Sequence, residues 1–174
     1  ADTSWGGEGW VCWALSWLGH QESIRLINGG VQTWNKLEFT LKPGNESFAG
    51  KSMVYKYQIR EKINITAATI QNNPPAFPLV DTRSLFDWIK GRIPGAIYIS
   101  WKKFYKNRVR QPIGLSEVSA LLRDHGVDTE KPIVYYCTGG IRSGYAWLVH
   151  SLAGLPTAIN FEGGMAEWEK SIEQ

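Results

Sequence analysis

The residues best suited to do chemistry are gathered in one stretch, YYCTGGIRSGY, at positions 135–145. Cys137 follows the apolar run PIVYYC and precedes two glycines, then Ile141, Arg142 and Ser143. A thiol attacks as its thiolate, and the thiolate is favoured at a helix N-terminus or beside a cation. Both are on offer. Gly139 and Gly140 let the backbone curl so that successive N–H groups of Thr138 to Arg142 point inward, a nest suited to an anionic sulfur or oxyanion. Arg142 adds a fixed positive charge, and Ser143 is placed to cap the helix that follows.

Loop length narrows the chemistry. Cysteine phosphatases and arsenate reductases use Cys-x5-Arg, with room for a tetrahedral oxyanion. Cys137 to Arg142 is Cys-x4-Arg, and the smaller ring of amides fits a single sulfur better than a phosphate. The only other cysteine, Cys12, lies in the apolar helical stretch GWVCWALSWLGH, where a free cysteine behaves as a small hydrophobe. His20, His125 and His150 show no metal-ligand spacing with either cysteine, so no metal is expected.

The elements that must position this loop read as an α/β layer. MVYKYQI (53–59) has the period-two pattern of a strand, and FPLVDTR, AIYIS and PIVYYC are short buried strands. Between them, SEVSALLRDHG opens with Ser116 as a possible cap and stops at Gly126. SGYAWLVHSLAG and GMAEWEKSI are further helices. Such alternation predicts a mostly parallel sheet, whose ligands bind at the carboxyl ends of the strands, where Cys137 sits.

Over roughly residues 50–174 the sequence resembles the rhodanese (sulfurtransferase) family. The loop pattern Cys-x-x-Gly-x-Arg-Ser is present as Cys137, Gly140, Arg142 and Ser143. Upstream, DTRSLFDWIKGRIPGAIYIS is similar to the family's Asp-x-Arg-Ser segment and Gly-His-Ile-Pro-Gly-Ala motif, with Asp81, Arg83, Ser84, Gly91, Ile93, Pro94, Gly95 and Ala96 in place. FEGGMAEW resembles its Gly-Gly-x-x-x-Trp ending. Arg92 stands where His is usual and Phe86 where an acidic residue is common, both outside the loop. The resemblance implies a three-layer α/β/α fold. It also implies a two-step reaction in which Cys137 takes sulfur from an anionic donor such as thiosulfate, becomes a persulfide and passes the sulfur to cyanide or a thiol. Thr138, Gly139, Gly140, Ile141, Arg142 and Ser143 would bind the substrate, with Asp81 and Arg83 in support, and no organic cofactor would be required. The loop TGGIR is not the Gly-Ser-Gly-Val-Thr type associated with 3-mercaptopyruvate. A rhodanese-like sulfur carrier, or a binding module serving a protein acceptor, is the alternative.

The first part of the chain repeats the last. WALSWLGHQESIRLINGGVQTW can be laid over WLVHSLAGLPTAINFEGGMAEW as helix, Gly, short strand, Gly-Gly and Trp. The pairs Gly19/Gly154, Gly29/Gly163, Gly30/Gly164 and Trp34/Trp168 fall in register with one residue of slack. The expected organisation is the C-terminal half of an inactive rhodanese-like domain at 1–42, a linker at 43–52 and a complete catalytic domain at 53–174. Asp2 falls opposite Cys137, and Glu8 near the place of Ser143. Half a parallel domain leaves strand edges and an apolar helix face uncovered, so a removed segment or another chain is expected to supply the rest.

Composition sets outer bounds. The chain has 174 residues, 43% hydrophobic and 20% charged, with a net charge of +3, too weak to argue for nucleic acid. No apolar stretch approaches a membrane span, and the N-terminus has no signal-peptide pattern. A mature secreted form would look the same, leaving cytoplasm and periplasm open. The basic run WKKFYKNRVR (101–110) reads as a solvated face, or as a device steering an anionic donor toward the pocket.

Overall fold

The computed structural model describes residues 5–20, 22–44, 50, 54–72 and 77–173. At its centre lies a parallel sheet built from β1 (Leu79–Asp81), β2 (Ile97–Tyr98), β5 (Ile133–Tyr136) and β6 (Ala158–Phe161), in the order β2-β1-β5-β6. The inner strands β1 and β5 are buried at every residue, as expected of a parallel sheet covered on both faces. Register places Asp81 beside Tyr136 and Phe161 beside Tyr136, so β1, β5 and β6 end level with one another. Cys137 follows directly at that edge.

The two faces of the sheet carry separate cores. Val80, Ile133, Tyr135 and Ala158 face α1 (Gly7–Trp17), α5 (Leu115–Asp124) and α6 (Ile141–Leu152). Leu79, Val134, Tyr136, Ile159 and Phe161 face α3 (Ala67–Asn72) and α7 (Gly164–Ile172). The alternation along each strand is the two-residue period of the pleat. The result is the three-layer α/β/α arrangement expected from the sequence. A short antiparallel pair, β3 (Tyr105–Lys106) and β4 (Gln111–Pro112), lies outside the main sheet.

Several sequence expectations change. Residues 23–27 and 54–60 are not strands. A strand needs a ladder partner, and neither segment has one among the described residues: Gln58 and Arg60 instead donate their N–H groups to the carbonyls of Leu18 and Trp17 at the end of α1. Gly114, not Ser116, caps α5, because its N–H donates to Glu117 Oε2 at 2.9 Å. Ser143 does not cap α6; the cap is Gly140, and Ser143 lies inside the first turn. Three short helices have no counterpart in the sequence reading: α2 (Gly30–Lys36), α3, and α4 (Leu85–Lys90), which opens on a reciprocal Ser84–Asp87 capping box.

The N-terminal segment is packed onto the rest of the chain through α1. It crosses α6 at a pair of glycines: a Cβ on Gly9 would lie 2.7 Å from Tyr145 N, and one on Gly144 would lie 2.9 Å from Trp10 Cα. Cys12 and Trp13 are buried there, and Trp13 Nε1 donates to Ile63 O at 2.9 Å. The expected linker at 43–52 and residue Asp2 lie largely or wholly outside the described residues.

Candidate active site

The loop that follows β5 is held from both sides. At the strand end, Thr82 donates through both its N–H and its Oγ1 to Tyr136 O, each at 2.9 Å. Beyond it, the first turn of α7 receives the loop: Met165 N donates to Cys137 O at 2.8 Å and Ala166 N to Thr138 O at 3.0 Å. In a trans peptide the N–H lies opposite the carbonyl, so the N–H groups of Thr138 and Gly139 point away from α7. This approach requires glycine at 164, where φ is +55° and a Cβ would press on Cys137 O and lie 2.8 Å from Thr138 O. The Gly-Gly-x-x-x-Trp ending therefore serves the loop directly.

Gly140 turns the chain into α6 with φ +75°, a left-handed conformation that favours glycine, and a Cβ there would lie 2.7 Å from Glu162 O. The Cys137 thiol thus stands at a strand end just ahead of a 12-residue helix, with its side chain 2% exposed. Ser143 Oγ lies 3.6 Å from Cys137 Sγ and donates to Gly140 O at 3.1 Å. A cavity of about 140 Å³ opens beside the thiol, lined by Trp5, Cys137, Thr138, Gly139, Ile141 and Arg142.

Of the residues predicted to bind substrate, Thr138, Gly139, Ile141 and Arg142 line that cavity. Gly140 and Ser143 do not, because Gly140 is turned against Glu162 and Ser143 is wholly buried inside α6. Arg142 is anchored: Nη2 donates to Thr138 Oγ1 at 2.8 Å, and Nη1 lies 3.7 Å from Asp87 Oδ2. The Ser84 hydroxyl holds the Asp87 carboxyl below its usual range, with smaller contributions from the Ser84 N–H, Arg142 and Arg83.

Asp81 and Arg83 form a buried bidentate pair, with Nη2 to Oδ2 at 2.7 Å and Nε to Oδ1 at 3.0 Å, and Arg83 Nη2 also donates to Gly91 O at 2.6 Å. Burial works against the Arg83 charge, yet the Asp81 hydrogen bonds and charge leave it held above its usual range. The pair therefore stitches β1 to the Gly-Arg-Ile-Pro-Gly turn. Ile93 N completes that stitch by donating to Tyr136 OH at 3.2 Å.

The basic run does not line the thiol cavity. Arg108 and Arg110 border a different cavity of about 250 Å³, together with Leu26, Ile27 and Val31, because the β3–β4 turn leans toward the N-terminal segment. Sequence reasoning did not identify Trp5, Asp87 or Asn160 as neighbours of the loop. Asn160 Nδ2 donates to Gly140 O at 3.2 Å. Trp5 and Asn160 lie far from the loop in the chain and belong to no local pattern, while Asp87 belongs to a Ser-x-x-Asp capping box that signals a helix start and not its nearness to the loop.

Known proteins supply the remaining context. Over 90% of its length the chain is 29% identical to a Pseudomonas aeruginosa protein described as "Probable 3-mercaptopyruvate sulfurtransferase", and it covers 58% of that protein. It is 28% identical to a sulfur carrier protein of Thermus thermophilus, covering 61% of it, and 24% identical to the thiosulfate sulfurtransferase of Gallus gallus, covering 56%. The chain thus spans about three-fifths of the length of these relatives. Its fold matches the crystal structure of an anaerobic ergothioneine biosynthesis enzyme from Chlorobium limicola, with TM-score 0.81 at 23% identity over 95% of this chain and 43% of that one. The model of the rhodanese-like domain matches residues 65–171, and with the parallel sheet and the loop after β5 this establishes that the chain belongs to the rhodanese-like family.

Proposed function

We propose that the protein is a sulfurtransferase that works through a persulfide on Cys137. The observation that carries this reading is the placement of one thiol between a strand end and the start of α6, beside a cavity of about 140 Å³. In the first step the Cys137 thiolate attacks the outer sulfur of thiosulfate. The new Cys–S–S⁻ bond forms as the donor S–S bond breaks, its electron pair leaving on sulfite. In the second step cyanide or a thiolate attacks the outer sulfur, giving thiocyanate or an acceptor persulfide and returning the Cys137 thiolate. Two easy displacements replace one difficult transfer. Peptide N–H groups of the loop stabilise the anionic sulfur, and Arg142 attracts the anionic donor.

Names among the relatives support the class, and they divide between 3-mercaptopyruvate and thiosulfate as donor. The loop sequence favours thiosulfate or a protein persulfide. Delivery to a protein acceptor is the second reading, favoured by the sulfur carrier relative. For the domain organisation, similarity to relatives extends over 90% of the chain, beyond 65–171, which supports reading 1–42 as part of a second rhodanese-like unit completed by a segment or chain outside these residues.

The test is intact mass after incubation with thiosulfate. Wild type and Cys12→Ala are expected to gain one sulfur, about 32 Da, that cyanide removes, and Cys137→Ser is expected to gain none. No gain in wild type, or equal gain in Cys137→Ser, would overturn the persulfide.

A further inference from the structure

Asn160 is a polar residue in an apolar place. It sits on β6 one pleat beyond Ala158, on the face of the sheet that packs against α6, where a hydrophobic side chain would continue the core. Its side chain is fully buried, and Oδ1 has no hydrogen-bond partner among the described residues. An orphaned buried carbonyl is destabilising, and an apolar residue of similar shape would remove that cost. The amide must therefore serve something, and its one hydrogen bond says what: Nδ2 donates to Gly140 O at 3.2 Å.

Gly140 O is the most heavily engaged carbonyl of the loop. It accepts from Gly144 N at 2.8 Å, from Ser143 Oγ at 3.1 Å and from Asn160 Nδ2 at 3.2 Å. The first two donors belong to α6 itself and move with it; only Asn160 ties this oxygen to the sheet. The Gly140–Ile141 peptide is one rigid plane, so fixing its oxygen also fixes the direction of the Ile141 N–H, on the opposite edge. Glycines on either side of that plane's start, at 139 and 140, give the chain little stiffness of its own.

Building on the persulfide reading, we propose that Asn160 is a positioning residue: its amide pins the Gly140 carbonyl to β6 and so aims the Ile141 N–H at the sulfur of Cys137. It touches neither donor nor acceptor. It acts through the peptide plane, holding one donor of the anion nest in place before sulfur arrives. Preorganisation of this kind matters because a donor that must first swing into line gives up part of its stabilisation at the moment of reaction.

The test uses Asn160→Leu, close in volume and without the orphan, and Asn160→Val as a smaller second replacement suited to a strand. Three quantities are read: the unfolding midpoint in urea, the rate of Cys137 alkylation by iodoacetamide followed by peptide mass, and the single-turnover rate of sulfur uptake from thiosulfate. The expected result is an unfolding midpoint equal to or above wild type, with Cys137 alkylation and sulfur uptake both slowed about tenfold, less than the loss on deleting an oxyanion donor outright. Unchanged alkylation in a folded variant would overturn the proposal, leaving Asn160 a packing residue. Loss of folding in both variants would overturn it too, since the amide would then serve the fold and not the loop. Alkylation needs no sulfur donor, so this result stands apart from failure of wild type to take up sulfur, which would overturn the persulfide itself.

Discussion

The segment α1–α2 and the segment α6–β6–α7 are two renderings of one pattern, and their differences separate what the pattern does from what its surroundings do. Both begin with a left-handed glycine, Gly6 at φ +79° and Gly140 at φ +75°, followed by a helix. Both helices end before a second left-handed glycine, Gly19 at +71° and Gly154 at +68°, and both later helices start at a third, Gly30 at +59° and Gly164 at +55°. Corresponding tryptophans make corresponding bonds. Trp147 Nε1 donates to Ala158 O of its own following strand at 3.1 Å, whereas Trp13 Nε1 donates to Ile63 O, fifty residues further along the chain.

Between the helices the two diverge. Residues 158–161 pair with β5 and are buried throughout, while residues 23–27 form no strand and Ile27 is 52% exposed. The local patterns are alike; the neighbouring strand is what differs. The cysteines diverge as well. Cys137 lies in a loop beside a cavity, but Cys12 is sealed inside the α1–α6 contact, where burial, helped by the Glu8 charge, pushes its thiol up and favours the neutral form. A helix interior thus seals a thiol into packing, where the loop ahead of a helix sets an equally buried one against a cavity.

The matched glycines allow the comparison to be broken deliberately. Gly164→Ala and Gly30→Ala impose the same left-handed strain, about 1–2 kcal/mol. Only at 164 does the new Cβ also meet the carbonyls of Cys137 and Thr138, since at 30 nothing lies within 4 Å. Urea unfolding is expected to show a loss of about 2–5 kcal/mol for Gly164→Ala, with sulfur uptake abolished, against about 1–2 kcal/mol for Gly30→Ala with uptake retained. Equal losses at the two positions would mean that α7 does not hold the loop.

Gly9→Ala probes the crossing of the two helices. Its Cβ would overlap the Tyr145 backbone, so α1 must shift, at a cost of about 1–3 kcal/mol. Urea unfolding of the whole chain reads this loss, and an unchanged midpoint would show that α1 is not part of the cooperative unit. A smaller effect concerns His150, which is buried, accepts from or donates to Tyr135 OH at 2.9 Å and faces Pro156 O. Burial lowers its affinity for a proton, despite the Pro156 carbonyl. The unfolded chain then binds a proton that the folded chain refuses, so stability is full above about pH 6.5 and falls as pH drops below it. Thermal unfolding between pH 7 and pH 5 is expected to show a shallower acid-side decline in His150→Gln than in wild type. A decline of equal slope would remove His150 from the acid sensitivity.

Much of the site was legible because its pieces are contiguous. The loop from Cys137 to Arg142, the strand before it and the helix after it are written in one unbroken stretch, Ile133 to Leu152, and backbone geometry follows from local residue types. Legibility failed where a residue's role depends on a distant partner. Ser143 has the side chain of a helix cap, yet Gly140 already takes that place and the hydroxyl bonds back to its carbonyl. MVYKYQI (53–59) alternates like a strand, but the N–H groups of Gln58 and of Arg60 just after it are claimed by the end of α1. The basic run is obvious as charge, and only the turn between β3 and β4 directs it to another cavity.

The sequence by itself determined the repeating pattern, the parallel α/β class and the candidate thiol, because periodicity, glycine placement and the spacing of a short loop are properties of neighbours along the chain. Tertiary structure decided which of the two copies has a strand, which glycines are indispensable and which amide fixes the loop. Those outcomes rest on hydrogen bonds and steric contacts between residues far apart in the chain, such as Asn160 with Gly140 and Gly164 with Cys137, and no local pattern encodes which group will be the partner.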